Sequence, residues 1–146
     1  VTGRTEFLRS LLGKPWRANA SGPDAYDCYH LMALIQRTLA GRELGALTLP
    51  AEPTWRWMCA AVESHPARSA WRQLPDDDAG LVRAGDLAIV LLGRSRRPGH
   101  CGVWLAPEQR IIHADQASGV IVDTIADLHA AGWHRRRFYE PPVRAS

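Results

Sequence analysis

Three residues have the types and the order that nucleophilic chemistry requires. Cys28 stands in GPDAYDCYHLM, where Asp27 and the cysteine come just before an apolar helical pattern. A thiol in the first turn of a helix meets the positive end of the helix dipole and unpaired backbone N–H groups, and both favour the thiolate. His100 opens the run HCGVWLA, and His113 follows thirteen positions later in RIIHA, with APEQ as the turn between them. If the hairpin turns at Ala106 and Pro107 the histidines stand directly opposite each other, whereas a register shifted by two makes them diagonal neighbours. In both cases they share a face. Gly102 lies on that face and is expected to leave room beside His100 for a substrate or a thiol. Cys101 points to the opposite face and reads as core. The chemistry of such a set is attack of Cys28 on a carbonyl, with His100 holding and returning the proton and His113 fixing the tautomer of His100.

The elements that must position these residues follow from periodicity. TEFLRSLL, residues 5–12, has Phe7, Leu8, Leu11 and Leu12 on one side of a short helix ended by Gly13 and Pro15. The pattern DCYHLMALIQRTLAG predicts a helix with Asp27 as N-cap and Gly41 as its stop. PTWRWMCAAVESH predicts another, with Pro53 in its first turn, Pro66 beyond its end and His65 where a cation suits the dipole. After LPDDDAGL the period changes. GDLAIVLL, HCGVWLA, RIIHAD and GVIVDT predict an antiparallel meander of roughly four strands, covered by the helix that begins at Cys28. Helices followed by strands make an α+β domain. The whole chain, 1–146, reads as one domain, with the last ~15 residues, around WHRRRFYEPP, as a final strand or a tail.

Composition narrows the function classes. With 146 residues, 46% hydrophobic and 23% charged, the chain is long enough for one core, and its net charge of +3 permits an acidic partner without requiring one. Three cysteines without a CxxC pair argue against a disulfide framework or a zinc ribbon. The arginine clusters at Arg94, Arg96 and Arg97 and at Arg135–Arg137 read as a solvated loop and a charged tail, and the six tryptophans interleave with apolar positions as core does. Nucleic acid is therefore not an expected partner. Asp76–Asp78 lack the spacing of a calcium loop. VTGRTEFLRSLLGKPW carries Glu6 and Arg9 where a secretory leader needs an unbroken apolar run, and no later stretch approaches a membrane span. The expectation is a chain made in the cytoplasm and carried to any external target by something else.

The segments GKPWRANASGPDAYDCYHLMALI, GDLAIV, HCGVWLA and RIIHA occur in an order and spacing that resemble the NlpC-type cell-wall cysteine endopeptidases, a papain-like family, over about residues 5–125. The resemblance implies helices packed on an antiparallel meander sheet, Cys28 as nucleophile, His100 as base and His113 as the polar residue on the next strand. It also implies cleavage of peptidoglycan stem peptides with no cofactor and no metal. The aromatic after the cysteine is most similar to the subgroup carried by phage or phage-like tails, which implies other tail-tip proteins as partners and a place in a virion or tail particle.

The sequence departs from that pattern beside the nucleophile. Tyr29 and His30 stand where the family has a small pair, and are expected to narrow the cleft or to compete for the thiol. Trp16 replaces a tyrosine that donates near the oxyanion, a role open to the Trp16 indole, to the Tyr26 hydroxyl and to the Cys28 backbone N–H. A non-cleaving structural component of a tail tip is the alternative reading. A zinc site built from Cys28, His100 and His113 is a weaker one, because no short-spaced ligand pair pre-organises it.

Overall fold

A computed structural model describes residues 2–75 and 84–142; the Asp76–Asp78 run lies outside them. In chain order the elements are α1 (Thr2–Leu11), α2 (Cys28–Ala40), α3 (Trp55–Ser64), α4 (Pro66–Ala70), β1 (Arg72–Gln73), β2 (Ile89–Gly93), β3 (Pro98–Leu105), β4 (Arg110–Asp115), β5 (Gly119–Asp123), α5 (Ile125–Ala130) and β6 (Arg135–Glu140). None of the described helices is long and apolar enough to cross a membrane.

The helix at Cys28 forms where its sequence signals lie. Asp27 caps it, with an extended backbone and a carboxylate that accepts the His30 N–H, and Gly41 closes it in the left-handed conformation at φ 64°. Leu31, Met32, Ile35 and Gln36 make its buried face. A buried Leu or Ile contributes about 1.5–3 kcal/mol, so this stripe is what holds α2 to the sheet. The one polar member, Gln36, is satisfied: its amide donates to the Leu87 carbonyl at 2.8 Å and its oxygen accepts from Arg42 at 2.9 Å.

The sheet has six antiparallel strands in the order β1-β6-β2-β3-β4-β5, where the sequence predicted roughly four. The predicted meander is β2 to β5. WHRRRFYEPP is not a tail: residues 135–140 return as β6 and pair along the whole of β2, from Ile89↔Tyr139 to Gly93↔Arg135. Three consecutive arginines, Arg135–Arg137, disguised this strand as a solvated segment.

Both faces of the sheet are covered. Val103, Leu105, Ile112 and Ala114 pack under α1 and α2, while Val90, Leu92, Trp104, Ile111 and Phe138 pack on the other side with Leu128 of α5. Burial on both faces explains why β2 and β3 read as continuous apolar runs instead of alternating ones.

Three further expectations change. α3 starts at Trp55 with Thr54 at its N-cap, because the threonine hydroxyl accepts the Trp57 N–H, so Pro53 precedes the helix instead of lying in its first turn. α2 does not cover the sheet alone, since α3 also packs on β3. Pro66 opens α4 as well as ending α3, and His65 caps it with Nδ1 accepting the Ala67 N–H at 3.1 Å. Burial lowers the pKa of His65, which favours the neutral ring needed for that bond over the cation predicted there.

Candidate active site

The β3–β4 register runs Val103↔Ile112, Trp104↔Ile111 and Leu105↔Arg110. Continued, it sets Gly102 opposite His113 and makes His100 and His113 diagonal, the second of the two predicted registers. His100 Nε2 lies 2.8 Å from His113 Nδ1. Gly102 makes room for β4 rather than for a substrate: a Cβ there would come within 2.8 Å of the Ile112 carbonyl oxygen and 3.1 Å of the His113 Cβ. A side chain at this position would push the two histidines apart.

His113 Nε2 in turn lies 2.8 Å from Asp123 Oδ2 on β5. This contact orders the protons along the row. A carboxylate only accepts, so His113 presents Nε2–H to Asp123 and, as a neutral ring, offers Nδ1 as acceptor. Burial, with the positive field of His100 behind it, lowers the His113 pKa to about 4 and keeps it neutral. His100 must then donate from Nε2, which leaves its Nδ1 for Cys28.

The neighbouring Cys101 thiol first, and His100 after it, pull the Cys28 pKa down to about 5 against the cost of burial. Cys101 therefore has to be reassigned. Strand alternation sends it to the face that α2 covers, which is the face the nucleophile occupies, so its thiol lies beside Cys28 and not in remote core. The Cys101 pKa is raised well above the ordinary thiol value, chiefly by its bond to Cys28, so it stays protonated and donates. His100 arrives from the strand end, where the β2–β3 register slips between Leu92 and Gly93. Such irregularities re-aim side chains. Replacing Cys101 by alanine removes one S–H donor, and is expected to move the midpoint of Cys28 alkylation upward and to slow labelling at about pH 6 roughly three- to tenfold, the worth of one hydrogen bond. Peptide-resolved iodoacetamide kinetics would show this, and an unchanged midpoint would remove Cys101 from the site.

Asp27 holds the loop that precedes the nucleophile. Its fully buried carboxylate accepts from the Asn19 N–H at 2.7 Å, the His30 N–H at 2.7 Å and His30 Nδ1 at 2.8 Å. This bond raises the His30 pKa and turns the ring to Asp27, so His30 is not poised as a rival base for the thiol. Asp27→Ala orphans these donors and is expected to cost about 2–4 kcal/mol in urea unfolding. A loss under about 1 kcal/mol would mean that other bonds hold the loop.

A cleft of about 290 Å³ opens over the thiol, with Trp16, Trp55, Arg94, His100, Asp115 and Trp133 among its walls. Tyr29 does not narrow it. Its ring lines, with Met32, an adjoining apolar pocket that shares Cys28 and Met58 with the cleft; its hydroxyl donates to the Gly45 carbonyl, and burial pushes its pKa to about 12. Tyr26 is also turned away, its hydroxyl lying against Gly22, whereas Trp16 lines the cleft. The Cys28 N–H has no acceptor among the described residues. The six tryptophans are thus divided: Trp104 and Trp71 are core, Trp57 packs partly buried against it, and Trp16, Trp55 and Trp133 face the cleft.

Sequence reasoning missed Asp123, Cys101 and Trp133. Asp123 shares a face with Ile121, the residue opposite His113, so the β4–β5 register would have found it. Trp133 stacks on His100 with ring centroids 4.8 Å apart and planes at 21°, and it lies in the α5–β6 connection, where nothing in the sequence marks a catalytic neighbour. No group of three His, Cys, Asp or Glu side chains among the described residues is arranged to hold a metal ion.

Compared by sequence, the chain matches no family model and no curated protein. Compared by fold, it is similar to the crystal structure of the NlpC/p60 domain of the peptidoglycan hydrolase SagA, with a TM-score of 0.59 and 16% identity over 95% of this chain and 96% of that one. The fold is α+β and papain-like, with helices on an antiparallel sheet, as the sequence predicted.

Proposed function

We propose that this protein is a cysteine endopeptidase that cleaves peptidoglycan stem peptides. The observation that carries the reading is the row His100, His113, Asp123, joined by two contacts of 2.8 Å, in the cleft that Cys28 also lines, with the Cys28 thiol shifted toward its anion. The shared fold with a peptidoglycan hydrolase domain supports the substrate class.

In this reading the Cys28 thiolate adds to the scissile carbonyl, and the developing oxyanion is met by the Cys28 N–H and the Trp16 indole N–H. The protonated His100 gives its proton to the leaving amine, and the acyl group remains on sulfur as a thioester. Water enters, His100 takes a proton from it, and hydrolysis releases the acid and restores the thiolate. His113 and Asp123 keep His100 in one tautomer throughout. A non-cleaving relative would have this site blocked by Tyr29 or Trp16, or sealed by a neighbouring subunit; Tyr29 is not among the residues lining the cleft, and Trp16 is.

The finer reading places the enzyme at the tip of a phage or phage-like tail, beside other tail-tip proteins, where it opens the cell wall during penetration. Its support is the aromatic Tyr29 directly after the cysteine. Mass spectrometry of peptidoglycan fragments, digested by the wild type and by Cys28→Ala, tests the activity. Identical digests from the two folded proteins would sink it. Peptide mapping of purified particles tests the location, and absence of this chain from them would remove the tail assignment alone.

A further inference from the structure

The cleft wall carries a guanidinium that the mechanism above does not use. Arg94 lines the same cleft as Cys28 and His100, and among the described residues it is the sole arginine or lysine there. Three contacts hold its head group. The guanidinium carbon lies 4.2 Å from the centroid of the Trp133 ring, Nη1 donates to the Ala131 carbonyl at 3.3 Å, and the head group lies against Gly132. Gly132 has φ +98° and no side chain, so the backbone there can approach the guanidinium closely. A Cβ would stand 2.8 Å from Nη1.

Among the described residues no carboxylate pairs with Arg94, whereas its neighbour Arg97 is engaged by Glu63 through two bonds of 2.7 and 3.1 Å. Asp115, the acid in the cleft wall, has Oδ2 occupied by the Ala117 and Ser118 N–H groups at 3.0 and 2.9 Å. Arg94 is thus oriented and exposed to the cleft, with donors still to be satisfied. A guanidinium fork of this kind matches a carboxylate with two parallel hydrogen bonds.

Its position relative to the chemistry fixes where that carboxylate belongs. Arg94 stacks on Trp133, and Trp133 stacks on His100 at 4.8 Å. Extended peptide advances about 3.3–3.6 Å per residue, so a group held by Arg94 sits within two or three residues of the bond lying over Cys28. The geometry points to a carboxylate-binding subsite at Arg94, which selects peptides bearing a free carboxylate within two or three residues of the scissile bond over the same peptides with that group amidated. This rests on the peptidase reading for the placement of the peptide, but not for the chemistry of the subsite.

Calorimetric titration of Cys28→Ala separates the two. The probes are synthetic stem peptides with each carboxylate free, or converted in turn to the carboxamide. Amidation at one position is expected to weaken binding about tenfold, and adding Arg94→Gln is expected to abolish that difference by weakening the free acid alone, while Arg94→Lys recovers part of it. Arg94 is exposed, so a thermal midpoint near that of the parent would verify the fold of each variant. Equal affinities for acid and amide, a preference that survives in Arg94→Gln, or no binding of either peptide would each overturn the subsite. If the wild type binds with the preference but cleaves nothing, the peptidase reading falls and the subsite stands. If it cleaves acid and amide equally well, the subsite falls and the peptidase stands.

Discussion

Cys28→Ala is expected to reduce peptide hydrolysis by about 10⁴-fold or more, equivalent to about 5.5 kcal/mol of transition-state stabilisation. The size follows from covalent catalysis. Without sulfur there is no thioester, and the remaining groups can only assist attack by water, which the Cys28-side geometry was not built to activate. The fold should tolerate the change, because alanine is small and apolar and the position already sits among apolar neighbours at 2% exposure. Its stability can even gain: Cys28 is a buried anion in the active form, and removing it leaves Cys101 as an ordinary neutral thiol. Release of soluble fragments by matched concentrations of the two proteins measures the effect. A residual rate above about one percent would mean that cleavage does not pass through this thiol.

His100→Ala is expected to lower turnover about 10³-fold, within the range for loss of a general acid and base. It also has a signature that a structural role would not produce. In the wild type the Cys28 pKa of about 5 makes the thiolate dominant above that pH, so alkylation should rise through a midpoint near 5 and then level off. The sign is set by the partner: an imidazolium stabilises the anion, so removing it raises the thiol pKa toward the ordinary value of about 8.5. At about pH 6 the variant should therefore be labelled roughly tenfold or more slowly, with the deficit closing as the pH rises past the new midpoint. The Cys101 hydrogen bond survives in this variant and limits the shift. If labelling keeps its wild-type pH profile while turnover falls, His100 acts on the substrate and not on the thiol.

The elements differ in how far they could be read from the chain alone. α2 was legible to the residue because its signals are local: an acidic N-cap, a 3.6-residue apolar stripe and a glycine stop. β2 to β5 were legible because Val and Ile runs punctuated by Gly and Pro need no distant partner to be recognised. β6 was not. Its arginines are tolerated because the strand is held by main-chain bonds to β2, with Phe138 and Tyr139 as its buried anchors, and that partner lies more than forty positions away in sequence.

By itself the sequence determined the α+β class, the helix that presents Cys28, and the pairing of two histidines on adjacent strands, since each depends on periodicity and short turns. Tertiary structure alone decided which face of β3 meets the thiol, that Cys101 lowers the pKa of that thiol, that Asp123 completes the row behind His113, and that Trp133 and Arg94 stack beside His100. Registers, crossovers and side-chain contacts between remote segments are set by how two covered faces pack at once, and no local pattern in a single chain encodes that outcome.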